Sequence, residues 1–554
     1  MKEYDNKLVF NVDGKIIEFQ KDSVKLSEVA EKMEPYYSGY ICMGIINNKL
    51  YDLNRTLYRS ADISFIDTTD VEGNRMYFRG LSLLLLLACR DIYGESRVCV
   101  KHSIGNGLYA VIENKKGFTD EEIEIIRKKM VEYVNKNHKI ICRYLPNDEA
   151  IEMFKELERY EKVELLKYRT EDITKVYECC GYFDYFYGYM FPSTGYMKDL
   201  DVAKMGDGLV IVGPDKGIKS TVTKFRAMPK LSDVYRETEE WSETLGIDTV
   251  VDLNRIIEKE KYGEMIRTVE ALHEKKIAEI ADMIVKRKSK IILIAAPSSS
   301  GKTSFAHRLS TQLRVNGKRA VPISIDDYFV ERKDTPRNAK GEPDYESIEA
   351  IDIPKFNDDI KKLIQGEEIE KIKFDFINGT RVYTGEMFSI GENEPIILEG
   401  IHGLNPKLTV DIDDDFKFRI YISAITQVNL DDHNRIPTTD LRFLRRMVRD
   451  YQFRGMDAET TMNIWPSVRE GEKKNIFPYQ EQADIMFNSA SVYELSVLKN
   501  PALKILEEID KKNIHNLEAV RLRKFLQYFD ELNDTEDIGP TAIIREFIGG
   551  SRIL

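Results

Sequence analysis

Residues 291–314, IILIAAPSSSGKTSFAHRLSTQLR, decide how the second half of this chain is read. They open as an unbroken apolar run, the pattern of a strand buried on both faces of a parallel sheet. They close as an amphipathic helix with Phe305, Ala306, Leu309 and Leu313 on one side. Between the two stands Ser300-Gly301-Lys302-Thr303. A loop that leaves a buried strand and opens a helix gathers backbone N–H groups into an anion nest. That context predicts a nucleotide-phosphate site over Ala296, Pro297, Ser298, Ser299, Ser300, Gly301, Lys302, Thr303 and Ser304. Lys302 is placed to bridge the β- and γ-phosphates of ATP, and the Thr303 hydroxyl to ligate Mg2+. The full pattern begins with glycine, where this chain has Ala296, small enough for close approach if its φ is negative.

Outward from the loop, the run AVPISI ends in Asp326-Asp327-Tyr328-Phe329. A carboxylate at the tip of a strand beside the phosphate strand faces the ligand crevice and can accept the proton of an attacking hydroxyl. Asp326 is the first choice for that base and Asp327 the alternative. Residues 395–400, PIILEG, are an apolar strand ending in Glu399, an acid placed for Mg2+ or its waters. Residues 440–455, DLRFLRRMVRDYQFRG, put Arg442, Arg445, Arg446 and Arg449 at helical offsets of one face. Guanidinium groups so close repel unless an anion sits between them. A lid that closes over ATP would use this arrangement; a solvated basic face, or a patch for protein or RNA, are the competing readings.

In this order these segments resemble the uridine kinase/phosphoribulokinase family, over roughly 289–495. The resemblance implies a small-molecule kinase using ATP and Mg2+, with Asp326, Lys302, Arg442, Arg445, Arg446 and Arg449 catalytic, and Thr303 and Glu399 at the metal. It implies acceptor contacts at Asp326 and Tyr328, at Glu346 within PDYESIEAID, and at the hairpin marked by Phe374-Asp375-Phe376 and Arg381. Phe374 replaces the hairpin tyrosine of the family, and Ile377-Asn378-Gly379-Thr380 lacks its histidine. Uridine or cytidine is therefore the implied acceptor by similarity, with another hydroxyl-bearing acceptor as the alternative. Phosphoribulokinase proper fits the hairpin and lid spacing less well. Kinases of this kind often form dimers or tetramers, which implies a homo-oligomer.

The first half resembles the front of threonyl-tRNA synthetase: residues 1–68 its TGS domain, a small β-grasp, and 69–232 its editing-type second domain. His102-Ser103 matches the start of an HSxxH motif and residues 192–196, PSTGY, a later PSTG stretch. Asn106 stands at the second histidine, and Phe186 and Met190 at the expected Cys and His. No metal or deacylation site can be rebuilt from one His with Phe and Met. This half is expected to bind or regulate without catalysis, with RNA or a small ligand as its partner.

The expected fold is thus multidomain: the TGS-like module, an α+β synthetase-like module, a helical connector at 233–288, an α/β kinase domain with a parallel sheet at 289–495, and a helical segment at 496–554. A chain of 554 residues exceeds one core. The net charge of -12 sets nucleic acid and anionic membrane aside as default partners. The six cysteines form no CxxC pair and read as free buried thiols. The opening residues carry no apolar signal core, and Leu81–Cys89 falls short of the about 20 residues that span a bilayer. A cytoplasmic protein is expected. The competing function class is a nucleotide-gated RNA-binding protein in which the phosphate loop acts as a switch.

Overall fold

The computed structural model describes residues 7–337, 341, 343–375 and 378–553. Strands β1 (Lys7–Val12) and β2 (Lys15–Gln20) form a hairpin. Asp13 and Gly14 turn it at φ 49° and 83°, as a two-residue turn with the strands' own twist requires. Helix α1 (Leu26–Met33) and strands β3 (Ile41–Ile46), β4 (Lys49–Asp52) and β5 (Ala61–Asp67) complete the module, in sheet order β2-β1-β5-β3-β4. Leu26, Val29, Ala30 and Met33 bury the face of α1 that their spacing predicts.

Helix α2 (Val71–Tyr93) starts earlier than the apolar run suggests, and its central leucines are fully buried. Next come β6 (Val98–Ile104), β7 (Gly107–Ile112), α3 (Asp120–Lys136), β8 (Ile141–Pro146), α4 (Asn147–Glu156), α5 (Tyr160–Lys167), β9 (Ile173–Cys179), β10 (Tyr182–Asp184), β11 (Asp201–Met205) and β12 (Gly208–Val212). Glu158, at φ 57°, separates α4 from α5. The strands make one sheet β11-β12-β7-β6 and one sheet β8-β9-β10. Cys180 is exposed, against the expectation of buried thiols, while Cys42, Cys89 and Cys179 are buried.

The connector is three helices: α6 (Pro229–Leu245), α7 (Val250–Glu258) and α8 (Tyr262–Arg287). Gly246 ends α6 at φ 65°, and Thr249 with Asp252 caps the start of α7.

Beyond it run β13 (Ile291–Ala295), α9 (Lys302–Val315), β14 (Val321–Ser324), α10 (Ile353–Ile364), the hairpin β15 (Ile369–Asp375) and β16 (Thr380–Phe388), β17 (Ile396–Glu399), β18 (Lys417–Ser423), α11 (Thr438–Arg454), α12 (Ala458–Asn475), β19 (Ile485–Asn488), α13 (Glu494–Glu507), α14 (Asn516–Leu526) and α15 (Arg545–Ile548). The sheet is parallel, in order β14-β17-β13-β18-β19. This corrects one expectation: β14, whose end carries Asp326, lies at the sheet edge, and β17 is the strand beside β13.

One apolar core crosses the chain. It joins Phe154, Leu165 and Leu166 of α4 and α5, Leu253 of α7, Leu444 and Met447 of α11, and Phe525 of α14. A buried polar cluster ties the same halves: Lys162 Nζ lies 3.0 Å from Asp184 and 2.9 Å from Asp431, and His433 Nδ1 lies 2.6 Å from Asp184. Each side chain there is at most 4% exposed; Lys162 of the first half pairs with Asp431 of the second, and His433 meets Asp184 across the same boundary.

Candidate active site

Strand β13 is buried along its length, so it can deliver its C-terminal loop to one place only. The loop turns at Ser299 (φ 61°) and Gly301 (φ 76°). At Gly301 a Cβ would lie 2.4 Å from a methyl of Ile543, so glycine is required both for the backbone and for the neighbour. Ser299 has no such licence and is held from outside. Arg445 donates to its carbonyl at 3.3 Å, Arg442 to that of Ser298 at 3.0 Å, and Arg446 to the Ser298 hydroxyl at 2.8 Å.

These contacts revise the lid reading. Arg442 and Arg445 are 1% and 0% exposed. Arg442 is ion-paired with Glu472, its Nη2 2.9 Å from Oε2, and Arg445 with Glu494, Nε to Oε2 2.7 Å. Arg446 and Arg449 pair with Asp450 at 3.2 and 2.9 Å. The anions that the basic face requires are carboxylates of the chain itself. Three of the four arginines fasten the phosphate loop from behind, and α11 is buried on both faces rather than poised over a cleft.

The acidic groups converge in front of the loop. Glu399 is in register with Ile294 of β13 and with Ser324 of β14, which places it between Lys302 at the start of α9 and Asp326 in the turn after β14. Burial raises the Asp326 carboxyl to about 6; Lys302 pulls it down, and Glu399 and Asp327 push it up. Glu346 is raised to about 7, chiefly by burial and then by Glu472, with Arg446 and Lys302 opposing. Asp327 instead accepts the Phe374 N–H at 3.2 Å and so anchors the β15–β16 hairpin, which leaves Asp326 as the carboxylate facing the lysine.

Other expected contacts are placed differently. The Tyr328 ring is 2% exposed and its hydroxyl donates to Asp359 at 3.2 Å, so it is a core residue and not an acceptor contact. Arg381 donates to Asp352 at 3.0 Å and to the Phe329 carbonyl at 3.1 Å, pinning the hairpin to the turn of Asp326. Phe374 stands across from Arg381 with its ring against Phe329. Phe376 and Ile377 lie outside the described residues.

Three residues at the loop escape sequence reasoning. Glu472 of α12 accepts the Ser298 N–H at 3.0 Å. Glu494 fixes Arg445. Glu546 of α15 accepts from the Ser304 hydroxyl at 2.7 Å and its N–H at 3.4 Å. The helical tail therefore reaches the phosphate loop. Of the three, only Glu494 has a local cue, since it also accepts the Ser491 N–H at 2.8 Å just before α13.

A hard cation fits the donors present: the Thr303 hydroxyl and the Glu399 and Asp326 carboxylates are all oxygen ligands. Among the described residues no three acidic, histidine or cysteine side chains close a metal cage. Such an open donor set suits an ion that keeps its waters and borrows phosphate oxygens.

In the first half, His102 stacks on Tyr235 at 3.4 Å between ring centres, and burial lowers it to about 3, so it stands neutral. Phe186 and Met190 are core residues. Asn106 donates to Thr223.

The strand–loop–helix with its acidic front has a counterpart among known sequences. Residues 291–496 match the Phosphoribulokinase / Uridine kinase family. A solved structure described as a possible uridine kinase from Bacillus stearothermophilus is 17% identical, covering 38% of this chain and 100% of that one at a TM-score of 0.25. The N-terminal part of the chain resembles threonine–tRNA ligases. That of Paraburkholderia phytofirmans is 28% identical over 195 residues, 35% of this chain and 30% of the ligase. That of Clostridium tetani is 29% identical over 187 residues, 34% and 29% of the two chains. The match thus spans less than a third of those relatives' length. Among the described residues no helix is long and apolar enough to cross a membrane.

Proposed function

We propose that this chain is an ATP-dependent kinase that phosphorylates a hydroxyl of a small acceptor, a pyrimidine nucleoside by first choice. The observation that carries the reading is Asp326, a carboxyl raised to about 6 beside Lys302 at the mouth of the phosphate loop. A base of that strength is ionised at neutral pH yet still takes a proton readily. The acceptor hydroxyl gives its proton to Asp326, and its oxygen bonds to the γ-phosphorus. The bond from that phosphorus to the bridging oxygen breaks, and ADP leaves. Lys302 and the loop N–H groups hold the charge that spreads over the transferring group. Thr303 and Glu399 would hold Mg2+, which supplies neutralisation of the phosphate charge. Glu346, held by its backbone to Asn475 at 2.5 Å, lines the acceptor side.

The test is ADP release by the whole chain with Mg2+ and a panel of nucleosides. Stimulation by uridine or cytidine supports the reading. Nucleotide binding without stimulation by any hydroxyl acceptor overturns it. The likeness of the N-terminal part to threonine–tRNA ligases favours a second reading, nucleotide-gated RNA binding in the cytoplasm. It predicts RNA affinity that falls steeply with salt and changes with ATP.

A further inference from the structure

A large cavity lies away from the phosphate loop. It has a volume of about 1190 Å3 and lies where the first module, α2, β9, the segment before α11 and α14 meet. That exceeds the about 300–1,000 Å3 of a drug-sized site. Its lining holds eight lysines and arginines against five aspartates and glutamates, in a chain whose net charge is -12. The excess of cations is therefore local to this cavity.

Two of those cations form no ion pair among the described residues. Arg435 makes no hydrogen bond or ion pair with any described residue, although Arg75 beside it pairs with Asp440 at 2.6 Å and Arg521 with the same carboxylate at 2.7 Å. Burial lowers Arg435 to about 10; Tyr235 and Asp440 pull it up and Arg75 pushes it further down. Lys175 touches only rings among the described residues, with its Nζ 3.9 Å from the centre of Tyr189 and 5.8 Å from that of Tyr144. A desolvated, unpaired guanidinium costs stability, and a fold keeps one where an anionic ligand offsets the cost. Tyr51 lines the cavity as well, with Tyr144 and Tyr189 beside Lys175. Tyrosine faces take a planar ring, and a guanidinium fork takes phosphate oxygens.

We propose that this cavity is a second ligand site, for a nucleotide, with the phosphate on Arg435 and the base among the tyrosines around Lys175. A cavity of this volume holds a single nucleotide, whereas a tract of RNA runs along an extended charged groove. The site lies at the foot of α11: Arg435 precedes it and Asp440 is in its first turn, two residues before Arg442, which holds the phosphate loop.

The experiment is calorimetric titration of UTP into the full chain carrying Lys302→Ala, which disables the loop. One remaining site is expected, weakened about tenfold or more by adding Arg435→Gln and less by adding Lys175→Gln. Without ligand, Arg435→Gln should melt no lower than its parent, because it removes a cation that forms no ion pair. If that variant does not fold, Arg435→Lys replaces it, keeping the charge without the fork, and is expected to weaken UTP by a smaller factor. Tripolyphosphate should bind more weakly than UTP; equal affinity would remove the base from the proposal. No binding of UTP to the Lys302→Ala chain, binding indifferent to Arg435, or binding of an RNA oligonucleotide without binding of UTP overturns it. Kinase turnover is read on the wild-type chain and this site on a chain that cannot turn over, so either reading can fail alone.

Discussion

The Glu546 carboxylate rests on Ser304, accepting from its hydroxyl at 2.7 Å and its backbone N–H at 3.4 Å. Ser304 belongs to the first turn of α9, where the helix's free N–H groups and dipole favour an anion. A carboxylate of the tail therefore occupies ground that a nucleotide phosphate also seeks. We expect Glu546→Ala to lower the KM for ATP by about threefold to tenfold, roughly 0.7–1.4 kcal/mol, with kcat little changed. Steady-state kinetics against ATP decides it. A raised KM would instead make Glu546 a helix cap that supports the loop.

Asp326 sets the pH dependence. Its carboxyl is raised to about 6, and a base acts only when ionised, so kcat/KM should fall as pH drops through about 6. Asp326→Asn should lower kcat by about a hundredfold to ten-thousandfold and leave nucleotide affinity nearly intact. A pH–rate profile flat from about pH 5 to 8 would remove Asp326 from the role.

The same shift has a stability sign. Above about pH 6 the folded chain carries the cost of a buried ionised Asp326, and below the unfolded value of about 3.9 neither state is ionised. The stability contribution is thus present at low pH and lost as pH rises through about 6. Asp326→Asn should melt above wild type near pH 8, with the gap closing toward about pH 4. Thermal melts at the two pH values check it, and an equal gap at both would contradict the shift.

The pair Arg445–Glu494 is buried, each side chain at most 1% exposed. Arg445→Met strands a carboxylate and should cost about 3–5 kcal/mol in urea unfolding. Arg445→Met with Glu494→Met should cost less than the single change, since it leaves no orphan charge. A double variant as damaged as the single would place the loss in the Ser299 and Ser489 carbonyl contacts.

Metal dependence should divide by half of the chain. Chelating Mg2+ should abolish turnover, while a zinc-selective chelator should leave the melting temperature unchanged, because His102 is stacked on Tyr235 and Phe186 and Met190 are core residues. Stoichiometric zinc in the purified chain would contradict the second expectation.

The phosphate loop was legible because β13 and α9 carry local periodicity and the loop joins them directly. The face of α1, the turn at Asp13-Gly14 and the core leucines of α2 were legible for the same reason. The partners of the loop were not. Glu472, Glu494 and Glu546 meet it from residues far along the chain, and nothing local marks a carboxylate that will find a distant N–H. Strand order was hidden likewise: β14 follows β13 in sequence, yet β17 inserts between them in the sheet. Tyr328 misled because a residue beside a catalytic turn can point either way, and here the Asp359 carboxylate draws its hydroxyl into the core. The arginine face was read correctly as demanding anions; only pairing in space shows that they come from the chain itself.

The cluster of Lys162, Asp184, Asp431 and His433 has a consequence for how such a chain can change over generations. Its charges come from both halves and lie out of water, and the apolar core around it is shared in the same way. A recombination that swapped in another kinase segment would bring in residues with no counterpart at Lys162 and Asp184, leaving a charge stranded. The two halves therefore have to be inherited together, each constraining substitutions in the other.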